Sequence, residues 1–201
     1  ADLGKRMRRG GPSPRRSRSG TMRPTKAMAT IHIMALTKAM AEAAGDAGWC
    51  IHLGATSNDI VDSAVALQIK DSIGLQREMV SGLVLTMCDI AERERGTVML
   101  GRTHGQAAVP ITFGLKVAVW VDEFRRHLDR LDEMEARATT GKFLGAVGTG
   151  AAQGERALDL QGLIMGELGL ETPIATTQVV GRDRYIEWVG WMANVATSVE
   201  K

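Results

Sequence analysis

Residues 59–95 read DIVDSAVALQIKDSIGLQREMVSGLVLTMCDIAERER. Val80, Leu83, Val84, Met87, Ile90 and Ala91 fall at a 3–1–3–3–1 spacing, which lines one face of an α-helix. The stretch is expected to be helical with one interruption, at Gly74. A second long helix is expected over 111–139, where Val117, Val121, Phe124, Leu128 and Leu131 alternate steps of four and three, a bundle-type seam. Two helices of roughly 30 residues greatly exceed the usual 11–12. The implied fold class is all-α, an elongated helical bundle, and an oligomer, because long apolar stripes need partners. Shorter helices are expected over 26–45, stopped by Gly45, over 155–170, and from about Asp183 to the end.

Composition agrees. Of 201 residues, 44% are hydrophobic but only 4% aromatic, with 11 Met and 23 Gly, which favours helix-on-helix packing over a β-sandwich. Charge is segregated: residues 1–26 carry a net +8 and residues 27–201 a net −6. Residues 1–25 are dominated by Arg, Gly, Ser and Pro and are expected to be a basic disordered tail ahead of a helical domain over 26–201. Such a tail suits a nucleic-acid or acidic partner. No aromatic side chains interleave its charges to stack on bases, so a solvated tail is the favoured reading. Cys50 and Cys88 have neither metal-ligand spacing nor a disulfide framework and are expected to be small buried apolar residues in a reducing compartment. No apolar run approaches the roughly 20 residues a membrane helix needs, and no secretory signal is legible. The cytoplasm is the expected location.

Three polar connectors flank the long helices: HLGATSND (52–59), GRTHGQ (101–106) and ATTQVVGRDR (175–184). Thr56 and Asp59 have capping-box spacing just ahead of the apolar run. A helix start also turns free N–H groups and a positive dipole end toward an anion, and the Thr56 and Ser57 hydroxyls add donors. His104 sits between polar residues in a loop, where an imidazole can serve as general acid or base. No GxSxG nucleophile motif occurs. Thr176, Thr177 and Gln178 supply two hydroxyls and an amide. The run GAVGTGAAQG (145–154) lacks the Lys-Ser/Thr ending of a phosphate loop and is expected to be a flexible or tightly packed interhelical turn.

HLGATSNDIVD, GRTHGQAAVPITFGLKVAVW, GAVGT and TTQVVGRDR, in this order and spacing, resemble the adenylosuccinate lyases of the fumarase/aspartase/argininosuccinate lyase superfamily. The resemblance covers roughly 26–201, and Gly105 after the His favours the adenylosuccinate branch. It implies a homotetramer whose long central helices form the core, with each active site built from segments of three subunits. It implies β-elimination of fumarate from adenylosuccinate, or from the analogous succinyl-carboxamide ribotide, with no metal and no redox cofactor. Thr56 and Ser57 would bind the succinyl carboxylate, with Asn58 and Asp59 shaping the same turn. Thr103 and His104 match the second segment, His104 as general acid to the departing nitrogen. Gln178 and His52 match substrate contacts, and Arg182 would lie near the nucleotide.

The chain also departs from that pattern. The family's serine base lies on a loop downstream of the TTQVVGRDR region, an Arg-Tyr nucleotide contact lies upstream, and neither is found here. Ile31 and His32 stand where the family has His-Asp, and Ala107 replaces a common His. Little turnover is therefore expected of residues 1–201 alone. The alternatives are a catalytically inactive assembly module of the same superfamily and another lyase such as argininosuccinate lyase.

Overall fold

A computed structural model describes residues 26–201; the expectations for residues 1–25 and for the side chain of His32 lie outside it. Helices dominate: α1 (Lys26–Ala43), α2 (Ser57–Arg93), α3 (Phe113–Ala138), α4 (Ala157–Leu168) and α5 (Asp183–Val199). Helix α1 stops just before Gly45, whose φ of 55° opens a 3-10 turn, Gly45–Cys50. Helices α2 and α3 pack against each other, and α5 lies along α3. The main core joins Ile69, Ile73, Val80 and Met87 of α2 to Val117, Phe124, Leu131 and Met134 of α3 and Trp191 of α5. A smaller cluster of Ala66, Met165 and Leu170 holds α4 against the start of α2. No helix among the described residues is long and apolar enough to cross a membrane.

Three expectations are corrected. Helix α2 runs unbroken for 37 residues through Gly74. One glycine costs a helix only about 1 kcal/mol relative to Ala, and the buried residues on both sides of it hold α2 to α3. Second, TVML and the GRTHGQ connector are not an irregular lead-in. They form a hairpin of β1 (Val98–Thr103) and β2 (Gln106–Thr112), and α3 begins at Phe113 rather than Ile111. Val98 pairs with Thr112 and Thr103 with Gln106, with an irregularity between Leu100 and Arg102. The turn is His104-Gly105, with φ values of 51° and 73°, as a two-residue hairpin turn with right-handed twist requires. Third, Cys50 and Cys88 are exposed. Cys88 lies one residue past the core position Met87, about 100° further round the helix.

Where α2 ends and α3 begins, the backbones touch. Phe113 N donates to the Thr97 carbonyl at 2.8 Å and Gly114 N to the Glu94 carbonyl at 3.0 Å. A Cβ on Gly114 would lie 2.7 Å from Arg95 Cα, whereas one on Gly74 would meet nothing within 4 Å. Gly74→Ala should therefore stabilise the fold by about 0.5–1 kcal/mol, and Gly114→Ala should destabilise it. Thermal melts of both variants check the pair of signs.

The α3–α5 seam holds a buried polar chain. His127 Nε2 lies 2.8 Å from Ser198 Oγ, which donates to Glu123 Oε1 at 2.7 Å, and the Trp191 indole donates to the His127 carbonyl at 2.9 Å. Burial, then the charge of Arg130, lowers the His127 pKa below its usual 6.5. A depressed histidine favours the neutral form in the fold, so the unfolded chain binds the extra proton first. Stability should be constant above about pH 6.5 and fall as the pH drops below it. Denaturant melts from pH 8 to 5 should show the decline in the parent and a flatter profile in His127→Gln.

Candidate active site

The first turn of α2 is the hub of the site. Thr56, extended at φ −113° and ψ 163°, is the N-cap, and its N–H donates to Asp59 Oδ2 at 2.8 Å, closing the capping box. The same carboxylate accepts Gly145 N at 3.0 Å, Leu144 N at 3.3 Å and the ammonium of Lys142. Lys142 and Asp59 have no exposed side-chain surface. Asp59 is thus no open carboxylate facing a substrate. It is consumed by the protein, and its work is to fasten the glycine loop to the helix start.

One turn on, Asp62 does the same for the third connector. It is 1% exposed. Its oxygens accept Val180 N and Arg182 Nη1, both at 2.9 Å. Arg182 also reaches the Tyr185 hydroxyl at 3.1 Å and lies 5.2 Å from that ring's centre. Burial, then the charge of Asp62, raises the Tyr185 pKa, so the phenol stays protonated while its oxygen accepts from Arg182. Gly148, at φ 80°, presses on the Thr176 and Thr177 backbone where a Cβ would collide. The glycine loop is therefore the tightly packed turn rather than the flexible one.

Segments 52–59, 142–148 and 176–182 accordingly meet at one end of α2. Thr56, Ser57 and Asn58 are half-buried there, while Gln178 is exposed. His52 is held at φ 65°, and its buried Nε2 has no partner among the described residues. Beside it, Gln153 Nε2 donates to the Gly54 carbonyl at 2.9 Å. Free N–H groups at a helix start and adjacent hydroxyls form a donor-rich surface suited to a carboxylate, with the unpartnered His52 nitrogen buried behind it.

Thr103 and His104 are not brought to this surface. They are exposed at the hairpin tip, beyond the opposite end of α2. At 1.5 Å per residue, the 37 residues of α2 separate the two ends by about 55 Å. Within one chain the first and third connectors converge and the second stands apart.

Asp62, Lys142 and Tyr185 escaped the sequence reading. Lys142 had a signal: it is the only charged residue in the 16 from Thr139 to Gly154, and buried charge demands a partner. Asp62 had another, as a second acid three residues after Asp59 and on the same helix face.

A family described as Lyase matches residues 21–201. The chain belongs to that lyase family. Over 175 residues it is 46% identical to the adenylosuccinate lyase of Pyrococcus horikoshii, covering 86% of this chain and 39% of that protein. Over 169 residues it is 37% identical to the N-acetyl-S-(2-succino)cysteine lyase of Enterococcus italicus, covering 84% of this chain and 37% of that one. The solved structure of a fumarate lyase from Mesorhizobium sp. BNC1 superposes with a TM-score of 0.76 at 40% identity, covering 83% of this chain and 39% of that one. This lyase-family chain thus spans about two fifths of the length of the relatives it matches.

Removing the Asp62 carboxylate would orphan the Val180 N–H and release Arg182. Asp62→Ala should destabilise by roughly 2–3 kcal/mol, and should speed amide exchange at Val180 more than at Leu144. Hydrogen exchange on the variant measures the contrast.

Proposed function

We propose that the whole protein is an adenylosuccinate lyase, eliminating fumarate from adenylosuccinate or from the succinyl-carboxamide ribotide. The observation that carries this reading is the convergence of the 52–59 and 175–184 connectors on a donor-rich helix start whose own acid, Asp59, is already neutralised. The identity to curated adenylosuccinate lyases, 38–46% across this region, supports the choice of substrate.

In the proposed reaction, Thr56 and Ser57, in the turn shaped by Asn58, hold the succinyl carboxylate that is α to the departing proton. A base from elsewhere in the assembly takes that proton. The electron pair becomes the carbon–carbon double bond, the carbon–nitrogen bond breaks, and His104, beside Thr103, protonates the leaving nitrogen. Negative charge grows on the carboxylate as the proton leaves, so donors aimed there stabilise the transition state more than the ground state. His52 and Gln178 contact substrate, and Arg182, anchored by Asp62, lies toward the nucleotide. No metal or redox cofactor takes part.

Assembly would bridge the separation of the two connectors, which stand at opposite ends of a helix about 55 Å long. We infer a homotetramer in which one copy's hairpin reaches another copy's helix start. Leu75, Met79 and Leu85 of α2, Val119 of α3 and Ile186 of α5 stand exposed, the surface such packing would cover. The hairpin itself is two-stranded and mostly exposed, a unit that is marginal without neighbours. A cytoplasmic location is part of the proposal.

A second reading is favoured by the relative named for N-acetyl-S-(2-succino)cysteine, a substrate that carries its succinyl group on sulfur. The two separate by rate. The whole protein should release fumarate from adenylosuccinate at least 100-fold faster, in kcat/KM, than from N-acetyl-S-(2-succino)cysteine; the reverse order would favour the thioether. For His104 the informative variant is His104→Asn, because Asn tolerates the left-handed turn that the residue occupies. Its kcat should fall by about 10²–10⁴ with an unchanged melting temperature. Equal losses of both would reduce His104 to a turn residue.

A further inference from the structure

Lys142 is among the largest side chains in the molecule with no exposed surface. Its backbone is clamped to α2 in both directions: Ser63 Oγ donates to its carbonyl at 3.2 Å, and its N–H donates to Ser63 Oγ at 3.2 Å. Its ammonium reaches one turn back along α2 to Asp59. The chain then folds over the same carboxylate, so that Leu144 N and Gly145 N also donate to it. Gly141 leaves no slack on the other side, because a Cβ there would lie 2.6 Å from Met165 Sδ and 2.9 Å from Ser63 Oγ.

The charge balance bears directly on the site. Asp59 is the third residue of α2, in the same first turn as Ser57 and Asn58, and it accepts the Thr56 N–H. An uncompensated carboxylate at that depth would repel any substrate carboxylate arriving at the helix start, and the low local dielectric would leave the repulsion poorly screened. Three backbone N–H groups supply dipoles to Asp59 but no net charge. Lys142 supplies the missing positive charge from beneath, where it takes no room in the site.

We propose that Lys142 is a positioning residue of this site, acting through Asp59: it cancels the carboxylate's charge so that the 56–58 turn remains receptive to a dicarboxylate, and it seats the 144–148 loop below that turn. The proposal rests on the lyase reading above. Its ligand class is the succinyl or fumarate dicarboxylate, and its contribution is to ground-state and transition-state binding rather than to proton transfer.

The test uses the whole protein and two variants. Lys142→Gln keeps a donor for Asp59 but removes the charge, and Asp59→Asn/Lys142→Gln removes both charges. KM and kcat for adenylosuccinate, the inhibition constant of fumarate and the melting temperature are measured for each. Lys142→Gln should raise KM and the fumarate inhibition constant at least tenfold, with kcat within about threefold of the parent. The double variant should bring both constants back to within about threefold. A Lys142→Gln protein that melts lower but keeps the parental KM overturns the proposal, as does a double variant that regains its melting temperature but not its KM. Should Lys142→Gln fail to fold, fumarate inhibition of the double variant decides: weakening beyond threefold overturns the charge-balancing role. A parent with no turnover sinks the lyase reading itself, and the site role of Lys142 with it. Turnover in the parent with unmoved constants in the variants sinks only the present inference.

Discussion

The structure around the candidate site depends on one buried carboxylate. Asp59 takes the capping N–H of Thr56, the Lys142 ammonium and two loop N–H groups, and is 2% exposed. Such a cluster does not have to add net stability, since burying a charged pair costs desolvation that its attraction barely offsets. Breaking it is another matter, because a lone buried charge costs about 3–5 kcal/mol. That asymmetry makes the arrangement a specificity device: the chain can satisfy Asp59 and Lys142 together only by folding the glycine loop onto the start of α2. Asp62 repeats the logic one turn later with Val180 and Arg182. Two acids on one helix face thus gather connectors from three parts of the sequence.

Helix α2 is both scaffold and ruler. Its buried stripe against α3 keeps it unbroken, and its 37 residues keep the hairpin and the helix start apart. A rigid rod of that length forbids a site made from both of its ends within one chain. Apolar side chains along α2, α3 and α5 stand exposed, because the described elements leave those faces uncovered. The separation of the segments is a direct consequence of one long helix.

The hairpin shows why short elements resist reading from sequence. Its strands are six and seven residues long and mostly exposed. Burial alternates over the first five residues of β1 but not along β2, and neither strand alternates apolar with polar residues. The signal is instead His104-Gly105, a two-residue turn between runs containing Val, Thr and Ile. Cys88 misled through residue type: cysteine is commonly buried, but its position on α2 falls just off the stripe. Gly74 misled in the opposite sense, since packing on both sides outweighs one residue's weak preference.

The sequence by itself determined the long helices, through apolar residues repeating at steps of three and four, the helix start at Thr56, through its capping box, and the family, through motifs in fixed order. These are local patterns, and local patterns survive without a third dimension. Only the tertiary structure decided that Asp59 is buried and spent, that Lys142 lies beneath the site, and that Thr103 and His104 stand at the far end from Thr56 and Gln178. The first two depend on pairings across some 80 residues of chain, as Arg182 with Asp62 does across 120, and the third on α2 running unbroken through Gly74. No spacing in the sequence encodes them. They follow from where a buried charge can find its counterion once the helices have packed.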